Sequence, residues 1–299
     1  MKFRIFVWGL LLAGVTSSCI REDMSECLNT HKIVLSYLGD GQTEIFGDKI
    51  DRVEMYVFDA QNNCTDHFVV PDDQVAARTA QLPPLAPGDY RVVCLGNTYH
   101  TKIADLSAGS FDAIRFADAD YLDTGAASGN DSLYYASASV AVQEYTGKDV
   151  ERTTLVSFAS SHYDLSVEVA GIPQSAVRAG LVPKLEICGV APCTDFENRA
   201  CGEATDYTLE TEYDAGRMLL TSKTNIMRHT NHGDVNVCLR PASGEGSFVE
   251  VNLAEFLARN PRIDCSKQEV LIPIRIEFTS VGVEVSVPDW FVQEVKPEF

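Results

Sequence analysis

The sequence predicts an all-β protein built from two β-sandwich domains in tandem, and three observations predict it. From Lys32 onward the apolar residues recur at every second position rather than every 3.6, which gives strands with one face in a core and one in water. Turn segments rich in Gly, Pro, Asn and Asp separate these runs. Helical periodicity is confined to short stretches, so the apolar strand faces must bury one another.

The chain opens with Lys2 and Arg4, an apolar run from Ile5 to Val15, and the small residues Thr16, Ser17 and Ser18. That is the charged, apolar and small-residue order of a secretory signal. The run of about 11 residues is too short to span ~30 Å of hydrocarbon, which takes ~20 helical residues. Cys19, directly after the small residues, makes residues 1–18 resemble a bacterial lipoprotein signal peptide. In that class cleavage falls before the cysteine, whose new terminus receives fatty acyl chains such as palmitate. A plain secretory signal and a retained apolar helix are the competing readings. Each buried methylene of a lipid gains about 0.8 kcal/mol, so several acyl chains hold stably where one does not. Residues 19–30 then read as a polar, lipidated linker carrying Glu22, Asp23 and Glu26. Acids just behind the cysteine also resemble the surface-export signal of Bacteroidetes lipoproteins.

Strands follow in order. Val53, Met55 and Val57 alternate with Glu54, Tyr56 and Phe58; Leu165, Val167 and Val169 with Asp164, Ser166 and Glu168; Val235, Val237 and Leu239 with Asn236, Cys238 and Arg240; and Val281, Val283, Val285 and Val287 with Gly282, Glu284 and Ser286. Residues 33–38, 90–95, 154–158 and 271–278 are further β-branched or aromatic runs. Turn chemistry stands at Gly39-Asp40-Gly41, 59–63, Pro87-Gly88-Asp89 and 242–246. The helical candidates are 251–260, where Leu253, Phe256 and Leu257 share a face ahead of Pro261, with 72–80 and 175–179 as weaker ones. Polar stretches at 118–131 and 143–153 read as loops. The division falls near residue 150, giving an N-terminal β-sandwich at 31–150 and a C-terminal one at 151–299, both of ordinary domain size.

Loss of residues 1–18 would leave 22 basic against 43 acidic side chains, a formal net charge of −21. A field of that sign repels phosphate backbones, so no nucleic-acid partner is expected. Eight cysteines besides Cys19 suit disulfides in an exported chain: Cys27, Cys64, Cys94, Cys188, Cys193, Cys201, Cys238 and Cys265. Spacing alone does not choose among the pairings. Cys188, Cys193 and Cys201 lack the paired knuckles of a zinc site.

Two clusters carry side chains suited to chemistry. His229, His232 and Asp234 could chelate from a loop, but a solvated turn is the plainer reading because no second cluster completes a shell. Asp118, Asp120 and Asp123 lack the glycine and distal glutamate of a calcium loop. No nucleophile elbow, phosphate loop or dinucleotide fingerprint occurs. The sequence therefore predicts no enzyme, no catalytic residues, no metal and no cofactor.

Three stretches together resemble the Bacteroidales fimbrial anchor family, the lipid-anchored minor subunits of type V fimbriae. They are Cys19 with Cys27 shortly after it; residues 50–59, ending in Val57-Phe58-Asp59; and residues 85–97, with Pro87-Gly88-Asp89-Tyr90 ahead of a strand that ends in Gly96-Asn97. Weaker echoes are 131–135 and 285–290. The resemblance implies two transthyretin-like sandwiches on a lipid tether at Cys19, attached to the cell outer membrane and exposed at the surface. It implies a non-enzymatic role in cell adhesion: anchoring a fimbrium, limiting its length, and meeting the fimbrial rod subunit through strand edges. Within 281–299, Val283, Val285, Val287, Trp290 and Phe291 are the candidate polymer contact, although the same alternation equally describes the last core strand of the second domain. The alternative function is a surface carbohydrate-binding lipoprotein.

Overall fold

The computed structural model describes residues 31–107, 111–125, 127, 129–144, 152–229, 231–243, 246–247 and 249–293. The signal, Cys19 and Cys27 lie outside the described residues.

Two sandwiches are present. In the first, a three-stranded sheet in the order Thr79–Gln81, His31–Ser36, Arg152–Ser157 faces a five-stranded sheet in the order Ala159–Ser160, Tyr134–Val142, Gly88–Gly96, Val53–Phe58, Cys64–Val69. Ile33, Leu35, Phe46, Met55, Val57, Val92, Val140 and Val156 form the core between them. In the second, a five-stranded sheet runs Glu212–Asp214, Leu219–Met227, His162–Ala170, Leu271–Thr279, Gly282–Ser286. Its partner runs Thr205–Thr208, Lys184–Val190, Asn236–Arg240, Val249–Asn252. Leu165, Val167, Val169, Leu185, Ile187, Val237, Leu239, Ile272, Ile274 and Ile276 fill this core. The alternating positions Val53, Met55 and Val57, Leu165, Val167 and Val169, and Val235, Val237 and Leu239 read from sequence are thus positions that bury.

Strand pairing moves the changeover between the two bodies. Arg152–Ser157 lies beyond the expected division near 150, yet it pairs in parallel with the first strand over six positions, from His31↔Arg152 to Ser36↔Ser157. Val156 and Phe158 belong to the first core. Period-two patterning reports that a segment is a strand but not which sheet it joins, and only a long-range partner decides that.

A fifth sheet joins the halves. Thr101–Ala104 and Arg115–Asp118 come from the first half, Cys193–Asp195 and Ala200–Cys201 from the second. This sheet covers the face of Val53–Phe58 that was expected to be wet. Tyr56 and Phe58 are 1% and 0% exposed and share a cluster with Val93, Leu95, Phe111, Phe116 and Phe196. Phe196 meets Tyr56, Phe58 and Phe111 edge-on at 5.3, 5.9 and 5.9 Å between centroids, the offset geometry that ring quadrupoles favour.

The helices are short. The segment expected at 251–260 begins as strand and turns helical only at Leu253–Arg259, because the Asn252 side chain accepts from the Glu255 N–H at 3.1 Å and caps the first turn. Asp72–Ala76 stops well before residue 80, since Arg78 takes a positive φ of 54° and the chain continues as strand Thr79–Gln81. Gln174–Arg178 lies one residue ahead of its expected span. Within the stretch read as a loop, Ala119–Thr124 is helical. Phe46–Lys49 and Asp289–Gln293 carry no periodic signal long enough to be read.

Phe196→Ala should remove a ring from the seam between halves and destabilise the chain by about 3–5 kcal/mol. Urea unfolding measures this; a loss below about 1 kcal/mol would show that the seam contributes little.

Candidate functional site

The candidate polymer contact lies at the end of a sheet. Leu271–Thr279 and Gly282–Ser286 form a hairpin with Thr279 opposite Gly282, Phe278 opposite Val283, and Ile276 opposite Val285. The core of the second sandwich therefore sits on the side of Val283 and Val285. Val285, Val287 and Phe291 are partly buried against that core, while Val283 remains 45% exposed. Val281, expected to share their face, is 95% exposed in the turn. The outer edge of Gly282–Ser286 has no further strand beside it among the described residues, so it presents backbone N–H and C=O groups to a newcomer.

Trp290 lies on the opposite, outward face of this sheet, where its indole N–H donates to Glu168 Oε1 at 2.8 Å. Arg275 bridges Glu168 and Glu277, each at 3.1 Å. This offsets the repulsion that Glu277 meets from Glu284 directly across the ladder. A cleft of about 780 Å³ over the same face is lined by Asp164, Glu168, Glu212, Lys223, Leu271 and Trp290. Pro273 stands in the neighbouring strand below the reach of the edge strand, whose pairing spans only Arg275–Thr279 on that side. The missing N–H of proline is tolerated where no second partner asks for it.

The sandwiches are clasped by the turn ahead of Leu271. Glu269 accepts hydrogen bonds from the Tyr37 hydroxyl, the Lys49 ammonium and, at 3.3 Å, the Tyr134 hydroxyl. The Asp40 carboxylate accepts from the backbone N–H groups of Gln268 and Glu269 at 2.9–3.2 Å. Burial alone would raise the Glu269 carboxyl, but the Lys49 and Tyr37 bonds and the Lys49 charge hold it below the usual glutamate range. Sequence reasoning marked Asp40 only as part of a turn and did not single out Glu269, Tyr37 or Lys49; one glutamate far from its partners in the chain leaves no local pattern.

His229 and His232 were expected in a solvated turn, and the structure corrects this. They line a cleft of about 880 Å³ with Tyr163, Asn198, Arg228 and Cys265. His229 is only 9% exposed. Its Nδ1 lies 2.8 Å from the Met227 carbonyl and its Nε2 lies 3.1 Å from His232 Nδ1. With His229 donating from Nδ1, its Nε2 accepts from His232, so each imidazole serves the other. Burial depresses both, and repulsion from His229 adds to the depression of His232, down to about 4. Two of the three aspartates weighed for calcium have other work. Asp118 caps the helix Ala119–Thr124 through the N–H groups of Asp120 and Tyr121, and Asp123 pairs with Lys102 at 3.2 Å.

Among the described residues the cysteines are free thiols, with no two sulfurs at bonding distance. Two pairs come into contact: Cys193 with Cys201 and Cys188 with Cys238, each at 2.9 Å between Sγ atoms.

Comparison with known proteins decides the family. The sequence profile described as fimbrillin-A associated anchor proteins Mfa1 and Mfa2 matches residues 24–296. The chain belongs to this family. Its fold is shared with several solved structures at low identity. A candidate adhesin from Bacteroides ovatus superposes with a TM-score of 0.69 at 15% identity, covering 88% of this chain and 94% of that one. A candidate polysaccharide-binding protein from Bacteroides thetaiotaomicron gives 0.67 at 13%, covering 88% and 96%. The fimbrial anchor protein Mfa2 from Porphyromonas gingivalis gives 0.64 at 15%, covering 87% and 95%. No curated protein sequence matches the chain. Membership places it among fimbrium-associated structural proteins of the cell surface.

The histidine pair makes a pH prediction. Folded-state values lie below the ordinary 6.5, so the unfolded chain binds protons that the folded one refuses. Stability is then present above pH 6.5 and declines as pH falls toward 4. Urea midpoints across that window should fall, and His232→Asn should remove part of the slope; an unchanged slope would mean that the pair does not titrate as placed.

Proposed function

We propose that this chain is an outer-membrane lipoprotein, tethered through acyl chains at Cys19, that holds the base of a fimbrium at the cell surface and limits filament length. The observation that carries the reading is a combination. A profile of fimbrial anchor proteins begins at residue 24, five residues behind a cysteine that itself follows a lipoprotein-like signal. The body behind Cys19 is mostly strands with few short helices, suited to contact rather than catalysis. A fimbrial rod subunit is the partner, met along the edge of Gly282–Ser286. There a newcomer gains backbone hydrogen bonds from the open edge and apolar burial on Val283, Val285, Val287, Trp290 and Phe291. Because this strand already completes its own sheet, the chain offers an edge rather than a vacant groove. A filament can start on such a surface, but the surface does not itself propagate it.

Cys19→Ala should release the protein from the membrane fraction and shed filaments into the medium. Membrane fractionation and electron microscopy read both; filaments that remain attached at normal length would overturn the anchoring role. At the edge, Val283→Lys places a charge where an incoming strand must dock. It should leave the thermal unfolding curve nearly unchanged while lowering recovery of rod subunit with the purified anchor. Undiminished recovery would remove this edge as the contact.

A further inference from the structure

We propose that Cys193 and Cys201 close into a cross-strand disulfide that locks the hairpin by which the second half of the chain enters the first. Two observations support it. The two residues stand directly opposite each other in the antiparallel pair Cys193–Asp195 and Ala200–Cys201. Directly opposed residues have Cα atoms about 4.5–5.5 Å apart, inside the window of about 4.4–6.8 Å that a disulfide requires. Their sulfurs already touch, at 2.9 Å.

The surroundings keep them there. Gly202 has a φ of +89°, and a Cβ at that position would stand 2.7 Å from Pro192 and 2.9 Å from Cys193 Sγ. Only glycine leaves room for the sulfur. At the other end of the hairpin the Asp195 carboxylate accepts from the N–H groups of Glu197 and Arg199 and from Arg199 Nε, each at 2.9 Å. Asn198 takes the left-handed turn position at φ 61°. The turn is thus set before any bond forms. Cys188 and Cys238 touch as well, but they are offset in register, with Cys188 opposite Asn236 and Glu186 opposite Cys238. Such diagonal neighbours have Cα atoms about 7–8 Å apart, at or beyond the bridging limit.

The reaction is thiol–disulfide exchange with an oxidising protein disulfide of the cell envelope, so the proposal shares the export half of the function above. The hydrogen bond from Cys193 holds the Cys201 thiol below its usual range against the effect of partial burial, with Arg115 adding to this. Cys201 is half-buried whereas Cys193 is buried. Cys201 as thiolate therefore attacks one sulfur of the donor, forming a mixed disulfide and expelling the other donor sulfur as thiolate. Cys193 gives its proton to that thiolate and attacks the Cys201 sulfur; the intramolecular S–S bond forms, and the donor sulfur expelled from Cys201 takes up from solvent the proton that Cys201 had released, so the donor leaves as a dithiol. Two electrons pass from the cysteines to the donor.

The consequence lies in the seam. Cys193–Asp195 pairs on its other side with Arg115–Asp118, and the hairpin tip carries Phe196 into the shared aromatic cluster. A bond across the hairpin holds both attachments in register.

The test uses the purified full-length chain and oxidised glutathione, so its outcome does not depend on anchoring or export. After incubation, free thiols are alkylated and peptides are mapped without reduction. A peptide joining Cys193 to Cys201, and a Tm that drops when dithiothreitol is added, are expected. Recovery of Cys193 and Cys201 both alkylated, or joined to other cysteines, would overturn the proposal. In the double variant Cys193→Ser, Cys201→Ser the Tm should lose most of its sensitivity to dithiothreitol; full retained sensitivity would equally overturn it.

Discussion

The structure depends on burial of the second face of the strand Val53–Phe58. A five-stranded sheet in a simple sandwich would leave Tyr56 and Phe58 in water. Here they sit under a joint sheet whose strands come from both halves of the chain. Two large aromatic side chains moved from water into a packed cluster each contribute on the order of 2–3 kcal/mol. Neither half has this gain alone, because the cover needs Phe111 and Phe116 from one half and Phe196 from the other. The two sandwiches are therefore coupled through apolar contact first. The polar clasp of Glu269 with Tyr37 and Lys49 is secondary, since an exposed or half-exposed ion pair contributes little by itself.

That coupling suits a family of anchor proteins. A flexible two-domain chain would lose much of any interaction free energy in ordering its own halves, whereas a body already joined presents its outer edge in a fixed direction. The edge strand Gly282–Ser286 belongs to the sandwich farther along the chain from Cys19. Along the chain, the strands that build the seam, Thr101–Ala104, Arg115–Asp118, Cys193–Asp195 and Ala200–Cys201, come between Cys19 and this edge.

The sequence made the strands legible and left their partnerships obscure. Leu165, Val167 and Val169 could be assigned to a core from alternation alone, and they are buried. The same alternation at Tyr56 and Phe58 pointed to water, although both were aromatic enough to suggest otherwise. Arg152–Ser157 was recognisable as a strand but not as the neighbour of His31–Ser36, which lies more than a hundred residues earlier. His229 and His232 looked like turn residues because Asn231 and Gly233 stand beside them; their burial comes from the hairpin that carries Asn198 and from Cys265, which are remote in sequence. At the candidate contact, the run of valines was plain, whereas its place at a sheet margin followed from pairing that no local pattern encodes. Turn and cap chemistry was only partly readable: Asn252 and Asp118 act as caps, yet each sits amid other polar residues that do not.

The parallel pairing of His31–Ser36 with Arg152–Ser157 has a mechanical meaning. Tension applied to the chain ahead of His31 pulls the first of these strands from its N-terminal end. Tension transmitted from the second body pulls the other strand from its C-terminal end, at Ser157. Because the two run side by side in the same direction over six aligned positions, the opposing forces slide one along the other. The ladder then resists as a whole, where a hairpin loaded at its open end would yield one rung at a time.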